Sequence, residues 1–267
     1  MTQPARYAVI GDPVSHSLSP LMHNGWIADH GLNATYEARL LRAPDAVTAF
    51  RELQGFAGAN VTVPHKEAAA RAADGYTGAV ANTLRWESDG RISAFNTDGD
   101  GFLDALTETA ADWSARVGSV LILGAGGAAR GVAEALADRD LIIANRSRDR
   151  AEVLSRSVPK ARAVSWDALA QSFADADLIV NATTLGMSGA PSPDWPVAHA
   201  KPGAIVADIV YRPLETPLLM ASRARGLATM DGLGMLIHQG ARAFEIWFGV
   251  KPSVAKARAR LLEALAQ

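Results

Sequence analysis

The stretch Val120-Leu121-Ile122-Leu123-Gly124-Ala125-Gly126-Gly127-Ala128-Ala129-Arg130-Gly131 constrains the fold more than any other. Its short apolar run reads as a strand. A glycine turn follows, then alanine-rich sequence of helical character. G-x-G-x-x-A directly after a strand is the spacing of a dinucleotide-binding unit. Gly124 permits the tight turn, and Gly126 lets a pyrophosphate approach the backbone. Ala125 and Gly127 complete the turn, and Ala128 and Ala129 let the helix lie close to the sheet. The helix start then offers unpaired N–H groups and a positive dipole end to phosphate. A glycine cluster alone is often only a turn. Here the strand before it, the helix after it and a further strand supply the context that the motif needs.

That further strand, residues 141–144, ends in Asn145-Arg146-Ser147-Arg148-Asp149-Arg150. NAD-binding units place an acid on the ribose 2′-OH about 20 residues beyond the glycines. Here the acid is absent and arginines replace it. Arg146 can meet a 2′-phosphate with its guanidinium, so the residues point to NADP rather than NAD. The other reading is an exposed basic helix start, which the helix dipole disfavours. Residues 178–181 read as a third strand and 204–210 as a fourth, with a proline-rich surface loop at 188–196. Strand–helix alternation from 117 to 230 predicts a parallel sheet.

The chain has 267 residues, enough for one large or two ordinary domains. With 49% apolar and 20% charged residues it can bury an ample core. A net charge of −2 gives no reason to expect nucleic acid or an anionic membrane as partner. Cysteine is absent, which excludes disulfides, thiolate metal sites and a cysteine nucleophile. Met1-Thr2-Gln3-Pro4-Ala5-Arg6 lacks the apolar core of a signal peptide. No apolar run reaches the roughly 20 residues of a membrane span. The expected location is the cytoplasm.

The first hundred residues carry separate candidates. A strand at 6–10 runs into Gly11-Asp12-Pro13-Val14-Ser15-His16-Ser17-Leu18-Ser19-Pro20, a loop leading into a helix towards Gly31. Ser17 and Ser19 near that helix start read as caps, with Ser19 at the N-cap, or as holders of a carboxylate. His16 and His23 lack the further ligands that a metal needs. A strand at 35–41 and a helix at 45–53 precede Gly58-Ala59-Asn60-Val61-Thr62-Val63-Pro64-His65-Lys66. This strand stops at a proline and leaves Lys66 at its carboxyl end, where ligands of α/β sheets bind. Lys66 is a solvated turn lysine or an acid/base. Residues 80–84 and 95–101 flank Asp89-Gly90 and read as a hairpin. Asp98 caps a helix beginning near Phe102, or pairs with a buried lysine. Towards the end, Gly232-Leu233-Gly234 opens an apolar helix through Trp247, its glycines implying close backbone approach. Gln239 on that helix is a core glutamine or a ligand. A final amphipathic helix covers 253–266.

Taken together these strings resemble the shikimate dehydrogenase family over almost the whole chain. They are residues 11–13, 17–20, 23–24, 60–66, 96–98, 124–129, 145–147 and 232–239. The resemblance implies two α/β domains. Residues 1–98 plus 233–267 would form a substrate domain with a mixed sheet, and 99–232 a Rossmann-like parallel-sheet NADP domain. It implies NADPH-dependent reduction of 3-dehydroshikimate to shikimate, on the route to aromatic amino acids. Ser17 and Ser19 would hold the substrate carboxylate, with Tyr211 nearby. Thr62, Asn82, Asp98 and Gln239 would hold its hydroxyls. Lys66 would donate the proton, positioned by Asp98. Residues 124–128 would cradle the pyrophosphate, and Asn145, Arg146, Ser147 and Arg150 the 2′-phosphate. Ile209 and Gly232 would lie near the nicotinamide.

The sequence departs from the family pattern in two places. The family usually has glycine a few residues before the asparagine matched by Asn82, and here that region reads Gly78-Ala79-Val80-Ala81, which implies a different local turn. Arg148 adds a charge beside the expected arginines. The rivals are a quinate or quinate/shikimate dehydrogenase and a non-catalytic metabolite-binding regulator. Serine at position 19 and the missing acid weigh against the first. Retention of Lys66 and Asp98 weighs against the second. No interface is visible in the sequence, and a homodimer stays open.

Overall fold

The computed structural model describes residues 3–42, 44–53, 55–188 and 190–266. Met1 and Thr2 of the amino-terminal stretch, and Gly189 of the proline-rich segment, lie outside the described residues. The chain divides into two compact units, Met1–Asp98 with Ile237–Gln267, and Gly99–Leu236. No helix among the described residues is long and apolar enough to cross a membrane.

The first unit is built on a mixed sheet of order β2-β1-β3-β4-β5. Its strands are β1 (Ala5–Gly11), β2 (Ala34–Leu40), β3 (Gly58–Val61), β4 (Thr83–Trp86) and β5 (Ile92–Phe95). β1 lies parallel to β2 and β3, while β3, β4 and β5 run antiparallel. The β4–β5 hairpin turns through Gly90 at φ +86°. α2 (Ala46–Glu52) and α3 (Lys66–Ala72) contribute to a core around Phe50, Phe56, Val61 and Leu84. A separate aromatic cluster gathers His23, Trp26, Tyr36, Phe244 and Trp247. It draws on α1 (Ser19–Asp29) and α10 (Gly232–Phe248), and α11 (Val254–Leu265) packs against α1.

The second unit is a six-stranded, wholly parallel sheet. Its strands are β6 (Ser119–Leu123), β7 (Asp140–Ala144), β8 (Ala161–Val164), β9 (Leu178–Asn181), β10 (Ile205–Asp208) and β11 (Ala228–Met230), and the short helices α5 (Trp113–Arg116) and α8 (Leu169–Asp175) are among its helices. The spatial order β8-β7-β6-β9-β10-β11 is the 3-2-1-4-5-6 order of a doubly wound Rossmann sheet. Val120 and Ile122 face one core with Val132 and Val180, while Leu121 and Leu123 face another with Phe173 and Val206. Burial on both faces is why β6 is continuously apolar rather than alternating.

Three expectations need correction. Residues 178–181 form the fourth strand of this unit and β10 the fifth, because the short edge strand β8 comes third. The helix expected near Phe102 is α4 (Asp98–Thr109) and starts at Asp98 itself. A Cβ at Gly99 would sit 2.8 Å from both Ala135 Cβ and the Gly131 carbonyl, so glycine here serves close packing on α6 (Gly127–Ala135). Ser19 is not the cap of α1. Leu18 holds that position without a side-chain bond, and Ser19 is the first helical residue.

Candidate active site

The loop before α1 orients both serines. Ser17 Oγ accepts the Ser19 N–H at 3.2 Å, so Ser17 satisfies an open helix donor and Ser19 keeps its hydroxyl for other partners. Ser19 is buried, and its hydroxyl interacts with the phenol of Tyr36. Burial pushes that phenol well above its usual range, with Ser19 opposing. Asn24 closes the edge of β2, donating to the Tyr36 carbonyl at 2.8 Å and accepting the Tyr36 N–H at 2.9 Å.

Lys66 opens α3 directly after the turn that ends β3. Its side chain is only 12% exposed and pairs with Asp98, whose side chain is 6% exposed. A solvated lysine and a simple cap are both ruled out by this geometry. Asn82 is the hub beside the pair. Its Nδ2, with two protons to share, lies within hydrogen-bond reach of Asp98 Oδ1 at 2.9 Å, Thr97 Oγ1 at 3.0 Å and Gln239 Oε1 at 3.2 Å. Its Oδ1 accepts the Thr97 N–H at 2.8 Å. The Gly-Ala-Val-Ala departure at 78–81 thus leaves Asn82 buried and fully bonded. Thr97 Oγ1 donates to the Gln239 carbonyl at 3.0 Å and so ties α10 to this hub. Thr62 follows β3, its N–H donating to the Ile10 carbonyl at 2.8 Å, and packs against Gly11.

Sequence reasoning gave no role to Tyr36 or Thr83, yet both belong to the same buried chain. Tyr36 Oη donates to Asn60 Oδ1 at 2.7 Å, and Asn60 Nδ2 donates to Thr83 Oγ1 at 3.2 Å. Thr83 Oγ1 in turn donates to Asn82 Oδ1 at 3.1 Å. Bonded buried polar groups at strand positions were the available signal, but alternation hides them among ordinary core residues. His65 is a core histidine, with Nε2 2.8 Å from the Leu41 carbonyl. Among the described residues no three His, Cys, Asp or Glu side chains gather to hold a metal.

In the second unit the glycine turn joins β6 to α6, at the switch point between β6 and β9. Gly124 adopts φ +115°, and a Cβ there would sit 2.8 Å from the Ala182 carbonyl oxygen. Gly126 is the N-cap of α6, and a Cβ there would meet nothing within 4 Å. Open space before a row of helix N–H groups fits a pyrophosphate. At the end of β7, Asn145 Nδ2 donates to the Ser147 carbonyl at 2.9 Å. Ser147 is the N-cap of α7 (Arg148–Ser157). Arg146, Arg148 and Arg150 are all exposed, and Arg148 is paired with Glu152 at 3.0 Å along the helix. Gly232 lies against the Ile209–Val210 backbone, where a Cβ would fall 2.6 Å from the Val210 carbonyl carbon. That backbone is what its close approach serves. Tyr211 is half-buried, and burial raises its phenol pKa, with Arg212 opposing.

The strand order and the glycine turn define a dinucleotide-binding protein of the doubly wound class, with a second α/β unit that carries a buried Lys–Asp pair. Residues 9–83 match the family model described as the shikimate dehydrogenase substrate binding domain. Residues 106–187 match shikimate/quinate 5-dehydrogenase, and 232–262 the shikimate 5′-dehydrogenase C-terminal domain. A shikimate dehydrogenase (NADP(+)) of Azorhizobium caulinodans is 46% identical over 261 residues, covering 93% of this chain and 92% of the relative. The Thermus thermophilus shikimate 5-dehydrogenase solved with NADP(H) and shikimate is 36% identical with a TM-score of 0.85. It covers 97% of this chain and 99% of its own. A Corynebacterium glutamicum quinate dehydrogenase solved with NAD is 29% identical with a TM-score of 0.88, covering 98% and 100%. This chain belongs to the shikimate dehydrogenase family.

Proposed function

We propose that this chain catalyses the reversible, NADPH-dependent reduction of 3-dehydroshikimate to shikimate, in the cytoplasm and on the route to aromatic amino acids. The observation that carries the proposal is the buried Lys66–Asp98 pair bonded through Asn82 to Gln239. Bound NADPH supplies the hydride that turns the ketone into an alcohol. The chain supplies the proton and the orientation. Negative charge that builds on the carbonyl oxygen is stabilised by the Lys66 ammonium, which then delivers a proton from Nζ. Asp98 anchors that ammonium and, with Thr62, Asn82 and Gln239, meets the ring hydroxyls. Ser17 and Ser19 take the carboxylate, with Tyr211. The open face of Gly126 and the start of α6 take the pyrophosphate, with Ile209 and Gly232 towards the nicotinamide. Asn145, Ser147, Arg146 and Arg150 take the 2′-phosphate, because Arg148 is already engaged by Glu152.

Absorbance at 340 nm tests this with shikimate and quinate, each offered with NADP+ and NAD+. Shikimate with NADP+ gives the highest kcat/KM. A preference for quinate with NAD+ would overturn the substrate and the cofactor together, and no turnover with any pair would leave a binding protein.

A further inference from the structure

β9 and β10 are neighbouring parallel strands, and each ends its apolar run in one polar residue, Asn181 and Asp208. The two are register partners and both are fully buried. Asp208 Oδ1 accepts from Asn181 Nδ2 and from the Val210 N–H, each at 3.0 Å, and Oδ2 accepts from Thr216 Oγ1 at 2.8 Å. The Asn181 amide and the Val210 N–H can only donate, so Oδ1 is held as an acceptor, while burial raises the carboxyl pKa and these three bonds oppose it. Burying a carboxylate is costly, and an apolar residue would fill this strand position without that cost. What these bonds secure is the loop that follows. One oxygen grips its first turn at Val210, and the other grips Thr216, which caps α9 (Pro217–Ala224). Residues 209–215 are therefore fastened at both ends by one side chain. Asn181 fastens the preceding loop in the same way. Its Oδ1 accepts from the Thr183 N–H at 3.1 Å and from Thr183 Oγ1 at 2.7 Å, and its Nδ2 also donates to the Leu185 carbonyl at 3.1 Å.

We propose that Asp208 is a positioning residue of the reaction, holding Tyr211 and Ile209 in the shape that substrate and nicotinamide require. The inference rests on the roles proposed above for those two residues. Carboxyl-end loops are where doubly wound sheets bind ligands, so a rigid loop there acts on KM and kcat rather than on folding alone.

The test is steady-state shikimate oxidation with NADP+ by wild type, D208N, Y211F and the double variant. D208N keeps the volume but replaces one acceptor oxygen with an amide that donates. The expected result is a shikimate KM raised about tenfold in D208N and raised in Y211F, with the double variant within about twofold of the worse single variant. That sub-additivity marks action through Tyr211, which a merely structural role would not produce. A D208N or Y211F enzyme with wild-type KM, or effects that multiply, overturns the proposal. Failure of the wild type to oxidise shikimate would instead sink the proposed function. T216V and T216S serve if D208N does not fold. T216V removes one bond to the carboxylate and raises KM about threefold, whereas T216S keeps the hydroxyl and stays near wild type. Equal KM values in the two Thr216 variants overturn the proposal.

Discussion

His23 offers a stability measurement whose size follows from its surroundings. Its ring stacks on Tyr36 at 4.3 Å between centroids and meets the rings of Trp26, Phe244 and Trp247. Both ring nitrogens are buried, and the Asn60 side chain is the polar group that acts on them. Burial lowers its pKa from 6.5 to about 3, with Asn60 weakly opposing. The unfolded chain therefore binds this proton more readily than the folded one, so acid favours unfolding. The contribution to stability is intact above pH 6.5 and is lost as pH falls towards 3. At pH 5 the unfolded imidazole is mostly charged and the buried one is not, a difference of about 2 kcal/mol at 1.36 kcal/mol per pH unit. His23→Phe keeps the stacked ring and removes the titration. Thermal unfolding of both proteins between pH 7.5 and 5 reads the effect. The variant gains on wild type by roughly 4–8 °C over that range, for a chain of this size. A difference in Tm that does not change with pH would refute the reasoning.

The glycine turn separates folding from binding. Gly126→Ala meets open space in the protein, so its Tm stays at the wild-type value while NADP+ affinity falls about tenfold by titration. Gly124→Ala, strained at φ +115° and pressed on Ala182, lowers Tm as well. Arg146→Ala weakens NADPH binding and narrows the preference over NADH, whereas Arg148→Ala, which removes only the pair with Glu152, leaves that preference unchanged. Unchanged cofactor selectivity in Arg146→Ala would count against its 2′-phosphate role.

Most of the fold was legible because its signals are local. The run at 120–123, the glycine turn after it and the alternation of strands and helices each announce themselves within a short window. β8 escaped because it is a four-residue edge strand, Ala161–Val164, with an exposed arginine near its start and no fully buried residue. The start of α4 was hidden by Gly99 and Gly101, which break the helical pattern where α4 packs closely on α6. Lys66 and Asp98 were visible as candidates, but 32 positions separate them, so spacing alone left each with a bland reading and only the family resemblance joined them before the structure paired them. Asn181 and Asp208 are polar residues at the ends of apolar strands, and Tyr36 is the one buried residue of the largely exposed edge strand β2. Their partners come from other segments, and no spacing rule reaches them.

The central claim is that Lys66 provides the proton. Steady-state rates of Lys66→Ala, taken beside the shikimate KM, test it most directly. The expected kcat is lower by roughly 10²–10⁴-fold, with KM within about threefold of wild type. A wild-type kcat accompanied by a large rise in KM would contradict it.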